Sequence, residues 1–191
     1  KNAGNQLAQH IIINFSDSAL FLFVCGKGNN AGDGYIAANI LHEKGFNVKI
    51  INIDGDLKSI PGKALKLYQG EIVQNTILDD VSTESTLLID CLLGSGIKGE
   101  PSDSFSKIIS KINLFSKILS VDVPSGFMKK TSVIPTQTLT FHDQKKGMTS
   151  ETCGDIFVAD VGITKEIDEY CGPGELKLFP NFNPDKRKGQ N

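Results

Sequence analysis

Apolar residues first recur at spacings of three and four. Leu7, Ala8, Ile11, Ile12 and Phe15 mark one face of an amphipathic helix over Asn5 to Phe15. The pattern then changes: Ala19 to Cys25 is an unbroken apolar run that stops at Gly26, as expected of a strand covered on both faces. Tyr35 to Lys44 returns to helical spacing and is closed by Gly45, which accepts left-handed dihedrals without steric cost. Further along, β-rich runs predict strands at Phe46 to Ile53, Thr86 to Cys91, Lys117 to Val123, Thr138 to Phe141 and Ile156 to Ala159. Between them, Lys63 to Gln69 and Ser104 to Ile112 are predicted helices. Parallel neighbours need crossover connections, so repeated βα units of this length imply an α/β fold whose mostly parallel sheet carries helices on both faces.

Composition narrows the picture. The chain has 191 residues, 39% of them hydrophobic and 22% charged, which suits one domain, assigned to residues 1–180, with a polar tail over 181–191. Its formal charge is −2 and its basic residues cluster only at Lys186, Arg187 and Lys188, so nucleic acid is not an expected partner. No apolar run approaches the roughly 20 residues of a membrane span, and the N-terminus carries no signal pattern. Cys25, Cys91, Cys153 and Cys171 lie far apart without a C-x-x-C pair, and are expected as buried thiols of a cytoplasmic protein.

Ligands of open α/β sheets bind beyond the C-terminal ends of the strands. Three predicted strand ends carry unusual chemistry. The first is Gly26-Lys27-Gly28-Asn29-Asn30-Ala31-Gly32-Asp33-Gly34, whose glycines let backbone N–H groups approach an anion at a helix N-terminus. Gly26, Gly28 and Ala31 also fit a dinucleotide fingerprint, with Asp54 near the offset of a ribose-binding acid. At the second end, Asp90 precedes a Gly-rich loop, Gly94 to Glu100, that bears Lys98. The third is Asp122-Val123-Pro124-Ser125-Gly126. Either acid alone could simply cap its turn; three such loops on one rim point to a site.

With Thr138 to Phe141 and Val158 to Ile163 downstream, these three runs resemble the YjeF N-terminal domain family, the NAD(P)HX epimerases. The resemblance implies a Rossmann-like three-layer α/β/α sandwich, commonly a homodimer. Its implied activity is interconversion of the R and S epimers of hydrated NADH and NADPH in nicotinamide nucleotide repair. It places substrate on Asn29, Asn30, Ala31, Gly32 and Asp33, and on Gly94, Ser95, Gly96, Ile97, Lys98, Gly99 and Glu100. It also places a potassium ion on Asn30, Asp90 and Ser125, all hard oxygen ligands. Asp122 matches the position beside the hydrated ring. Epimerisation at C6 needs a group that donates and recovers a proton, so Asp122 is the expected general acid/base, with Lys98 positioning the dinucleotide.

Against the family pattern, Ala31 replaces a glycine, the Gly126 to Thr138 interval is short, and His142 stands beside the site, expected mainly at the surface. The tail from Pro180 resembles the connector that leads into a dehydratase domain in bifunctional members. Two rival readings are a nicotinamide-dependent dehydrogenase, which leaves Asp90 and Asp122 unexplained, and a non-catalytic ligand- or RNA-associated module of the same fold. The latter would not need Asp122, Asn30 and Ser125 together.

Overall fold

Strands β1 (Leu20–Cys25) and β4 (Thr86–Cys91) are buried at every position, which is why both read as unbroken apolar runs. They pair in parallel, Leu20 opposite Thr86 and Cys25 opposite Cys91, and form the centre of a seven-stranded sheet. The other strands are β2 (Val48–Asn52), β3 (Glu71–Val73), β5 (Lys117–Val121), β6 (Gln137–Phe141) and β7 (Asp155–Ala159). Their order is β3-β2-β1-β4-β5-β6-β7, parallel throughout. The computed structural model describes residues 2–55 and 57–162. The tail boundary expected at residue 180, Cys171 and the connector therefore lie outside the described residues.

Helices cover both faces. On one side α1 (Asn2–Phe15) and α2 (Asn29–Glu43) pack Leu7, Ile11, Tyr35 and Leu41 against Phe21, Phe23, Leu87 and Ile89. On the other, Ile108, Ile109 and Ile112 of α4 (Asp103–Ile112) meet Leu22, Val24 and Leu88. The expected three-layer sandwich is thus present. Helix α3 (Ile60–Leu65) starts earlier than the apolar spacing predicted, because Ser59 caps it by accepting from the Gly62 N–H at 3.1 Å.

Helix α2 also begins early, at Asn29 instead of Tyr35. Gly32 and Gly34 lower helical propensity and interrupt the apolar spacing, but packing overrides both signals. A Cβ on Gly34 would come within 2.7 Å of Cys91 Sγ and 3.1 Å of Cys25 Sγ, so this glycine lets the helix settle on the sheet. Strand β5 stops at Val121, two residues before the predicted end, because Asp122 turns the chain at φ 67°. Three short elements carried no readable period: β3 at the sheet edge, a 3-10 turn over Asn75–Asp79, and α5 (Ser150–Cys153).

Of the apolar stripe of α1, Leu7, Ala8, Ile11 and Phe15 are buried in the protein's own core, and Ile12 is half-buried against it. Exposed Ile13 and half-buried Ile12, with Ile40 of α2, line a groove of about 540 Å³. Cys25, Cys91 and Cys153 are buried free thiols, as expected. Among the described residues no helix is long and apolar enough to cross a membrane.

Candidate active site

Strand order reverses between β1 and β4, and at that switch point a cavity of about 660 Å³ opens beyond the strand tips. Its wall combines the start of α2 (Gly28, Asn29, Asn30, Asp33), the turn after β4 (Leu92 to Ile97) and Asp122. Lys27, Phe105 and Phe141 complete it. Gly28 caps α2 in extended conformation without a side-chain hydrogen bond, so the helix N-terminus opens on the cavity. Free N–H groups there favour an anion.

Asp90 closes the floor and is fully buried. Its Oδ1 accepts from the Ser125 hydroxyl at 2.5 Å and the Leu92 N–H at 3.3 Å; its Oδ2 accepts from the Ser120 hydroxyl at 2.8 Å and the Ser125 N–H at 2.9 Å. Burial pushes this carboxyl above its ordinary value, while the bonds from Ser125, Ser120 and Leu92 pull it back. Ser125 Oγ also accepts from the Leu93 N–H at 2.7 Å, joining the β4 and β5 turns. Asn30 belongs to the same assembly. Its amide donates to the Val121 carbonyl at 2.8 Å, and its Oδ1 lies beside Gly94, where a Cβ would approach it to 3.0 Å.

Asp122 adopts a left-handed backbone, rare for a non-glycine residue, and its side chain is 17% exposed. Its Oδ1 lies 2.8 Å from Lys145 Nζ, which also donates to Thr140 Oγ1 and to the Phe141 carbonyl at 2.7 Å. The ion pair stands between the main cavity and a second one of about 380 Å³, lined by Val123, Phe127, Lys129, Lys145 and Lys146. Gly94, Ser95 and Ile97 border both. Lys145 was not among the site residues expected from sequence; the one signal was its place in the loop after β6, and nothing local tied it to Asp122.

Eight of the expected contact residues line the main cavity: Asn29, Asn30, Asp33, Gly94, Ser95, Gly96, Ile97 and Asp122. Five do not. Ala31 is buried in α2 without positive φ, which accounts for the tolerated methyl. Gly32 faces Pro61. Lys98, Gly99 and Glu100 lie past the turn, where Glu100 accepts from the Lys130 N–H at 3.0 Å. Asp54 is exposed and lines neither of these cavities, and His142, at φ 69°, lines neither.

A family model described as YjeF-related protein N-terminus matches residues 1–147. Relatives named bifunctional NAD(P)H-hydrate repair enzyme Nnr are 31% identical in Archaeoglobus fulgidus and in Methanothermobacter thermautotrophicus, covering 99% and 100% of this chain. The chain spans 42% and 41% of their lengths. The relative of the same name in Escherichia coli is 31% identical over 74% of the chain and 30% of its own length. Among solved structures, yeast ynu0, YNL200c, superposes with a TM-score of 0.69 at 19% identity, over 83% of this chain and 75% of that one, a likeness of fold.

Proposed function

The chain belongs to the family of YjeF-related protein N-termini, and on that premise we propose that it is an isomerase interconverting the R and S epimers of hydrated NADH and NADPH. The observation that carries the reading is Asp122, held in a left-handed backbone and paired with Lys145 on the wall of a cavity large enough for much of a dinucleotide. Carboxylate and ammonium together supply a proton acceptor and a fixed charge at one point. The open N-terminus of α2 is the natural seat for a phosphate, and Leu92, Leu93, Phe105 and Phe141 give the cavity an apolar wall. The relatives' printed name, a repair enzyme for hydrated NAD(P)H, supports the same substrate.

The proposal includes a potassium ion on Asn30, Asp90 and Ser125. The donors suit it: all are hard oxygens around a buried carboxylate, and among the described residues no cluster of three His, Cys, Asp or Glu competes. Four hydrogen bonds fill the lone-pair sites of Asp90. Turning the Ser125 hydroxyl to the Leu93 carbonyl, 3.2 Å away, frees one site on Asp90. When bound, such an ion supplies a fixed positive charge beneath the cavity. A homodimer in the cytoplasm completes the reading, with the Ile12, Ile13 and Ile40 groove as the face for a second copy; sedimentation analysis reads its mass.

The test supplies one purified epimer of hydrated NADH and follows the other by chromatography, with potassium present. Wild type is expected to accelerate interconversion and Asp122→Asn to lose about 10²- to 10⁴-fold of it. No acceleration by the folded wild type would transfer the chain to the non-catalytic binding modules of this fold.

A further inference from the structure

We propose that Asp33 is a second proton-transfer group of this cavity, acting on the face of the hydrated ring opposite Asp122. The inference rests on the epimerase reading above. Asn30 fixes the first turn of α2 to the tip of β5 through its bond to the Val121 carbonyl. Asp33 stands three residues further along the helix, on the same side as Asn30. The residue after Val121 is Asp122, so two carboxylates reach one cavity from two different elements.

Their surroundings differ. Asp122 is ion-paired with Lys145, whereas the Asp33 carboxylate takes no hydrogen bond from another described residue. Burial raises the Asp33 carboxyl above its ordinary 3.8, against the charge of the N-terminus, which lowers it, and with a smaller upward push from the charge of Asp122. A buried carboxyl and a carboxylate held in an ion pair, on the wall of one cavity, suit the roles of acid and base.

Inversion at C6 needs such a pair. The Asp33 carboxyl gives its proton to the C6 hydroxyl; the C–O bond breaks, its electron pair leaves with water, and the N1 lone pair forms an N1=C6 bond. Water then adds to C6 from the other face, its electron pair restoring the lone pair on N1 as the C–O bond forms, and its proton passes to the Asp122 carboxylate. The opposite epimer reacts with the roles exchanged, and solvent returns the proton between turnovers. No oxidant, reductant or further reactant is consumed.

The experiment compares wild type, Asp33→Asn, Asp33→Glu, Asp122→Asn and the Asp33→Asn/Asp122→Asn double variant, each with hydrated NADPH as substrate and each checked for folding by thermal melt. Asp33→Asn is expected to lose about 10²- to 10⁴-fold in kcat with KM within about threefold, and Asp33→Glu to recover part of it. Groups that act as a unit are non-additive, so the double variant should fall within about tenfold of the slower single one. A raised KM with unchanged kcat would make Asp33 a binding residue and overturn the proposal, as would full activity of Asp33→Asn. An inactive wild type would overturn the epimerase reading and this one together, whereas an active wild type with an active Asp33→Asn would overturn this one alone.

Discussion

Asp122 stands at φ 67°, a region that costs an L-residue about 1–2 kcal/mol relative to its normal helical or extended wells. The strain persists because neighbours over-determine it. The Asp122 N–H donates to the Leu139 carbonyl at 2.8 Å, the Val123 N–H to Val121 at 2.9 Å, and Lys145 holds the carboxylate. As a result, instead of continuing the β5 pleat, Asp122 lines the cavity. Replacing Asp122 by Gly or by Ala removes the same carboxylate and differs only in a methyl that resists this backbone. Asp122→Gly is therefore expected to be more stable than Asp122→Ala by about 1 kcal/mol in urea unfolding. Equal midpoints would mean that the backbone relaxes and stores no strain. The sequence marked this turn through Pro124 and Gly126, but neither the dihedral nor the Lys145 partner beyond β6 was legible, since both arise from tertiary packing.

At the scale of elements, legibility followed burial. Strands β1 and β4 were readable end to end because both faces are covered; β3, with Glu71 and Ile72 exposed at the sheet edge, offered no pattern. Helix α2 is readable only past its glycines, so three cavity-lining residues, Asn29, Asn30 and Asp33, read as loop although they lie in its first turns. The junction of α1 with β6 and β7 shows a further consequence of packing. His10 Nε2 lies 3.0 Å from Gln137 Oε1, and its ring centroid lies 4.8 Å from that of Phe157, the two rings tilted by 59°. Burial lowers the His10 pKa below its ordinary 6.5, against the Gln137 hydrogen bond, which raises it. The unfolded chain then binds the proton more tightly. Stability from this group is present above about pH 6.5 and is lost as pH falls through the folded-state value. His10→Phe keeps a ring there without a titrating group. Between about pH 7 and pH 5 the wild-type Tm is expected to fall relative to that of His10→Phe, and parallel curves would show that the ring titrates alike in both states.

For the whole molecule, the strand order matters more than any single loop, because its reversal between β1 and β4 gathers the tips of β1, β4 and β5 around one carboxylate. Asp90 is the cost of that gathering. Its carboxyl is raised by burial, so its contribution to stability is present below the ordinary 3.8 and is lost as pH rises through the folded-state value. A cation that binds the ionised carboxylate opposes this loss, and does so only in the folded state, where Asn30, Asp90 and Ser125 come together. Linkage sets the size of the effect: a ligand at about ten to a hundred times its Kd stabilises by about 1.4–2.7 kcal/mol. For a domain of this size that corresponds to a rise in Tm of about 3–10 °C. Potassium chloride should therefore raise Tm above an equal concentration of choline chloride, more at neutral pH than at about pH 4, where protons compete for the carboxylate. Asp90→Asn should abolish the difference, since the amide keeps the shape but not the charge. Identical melting curves in the two salts would remove potassium from the proposed site and leave the four hydrogen bonds of Asp90 as its whole role.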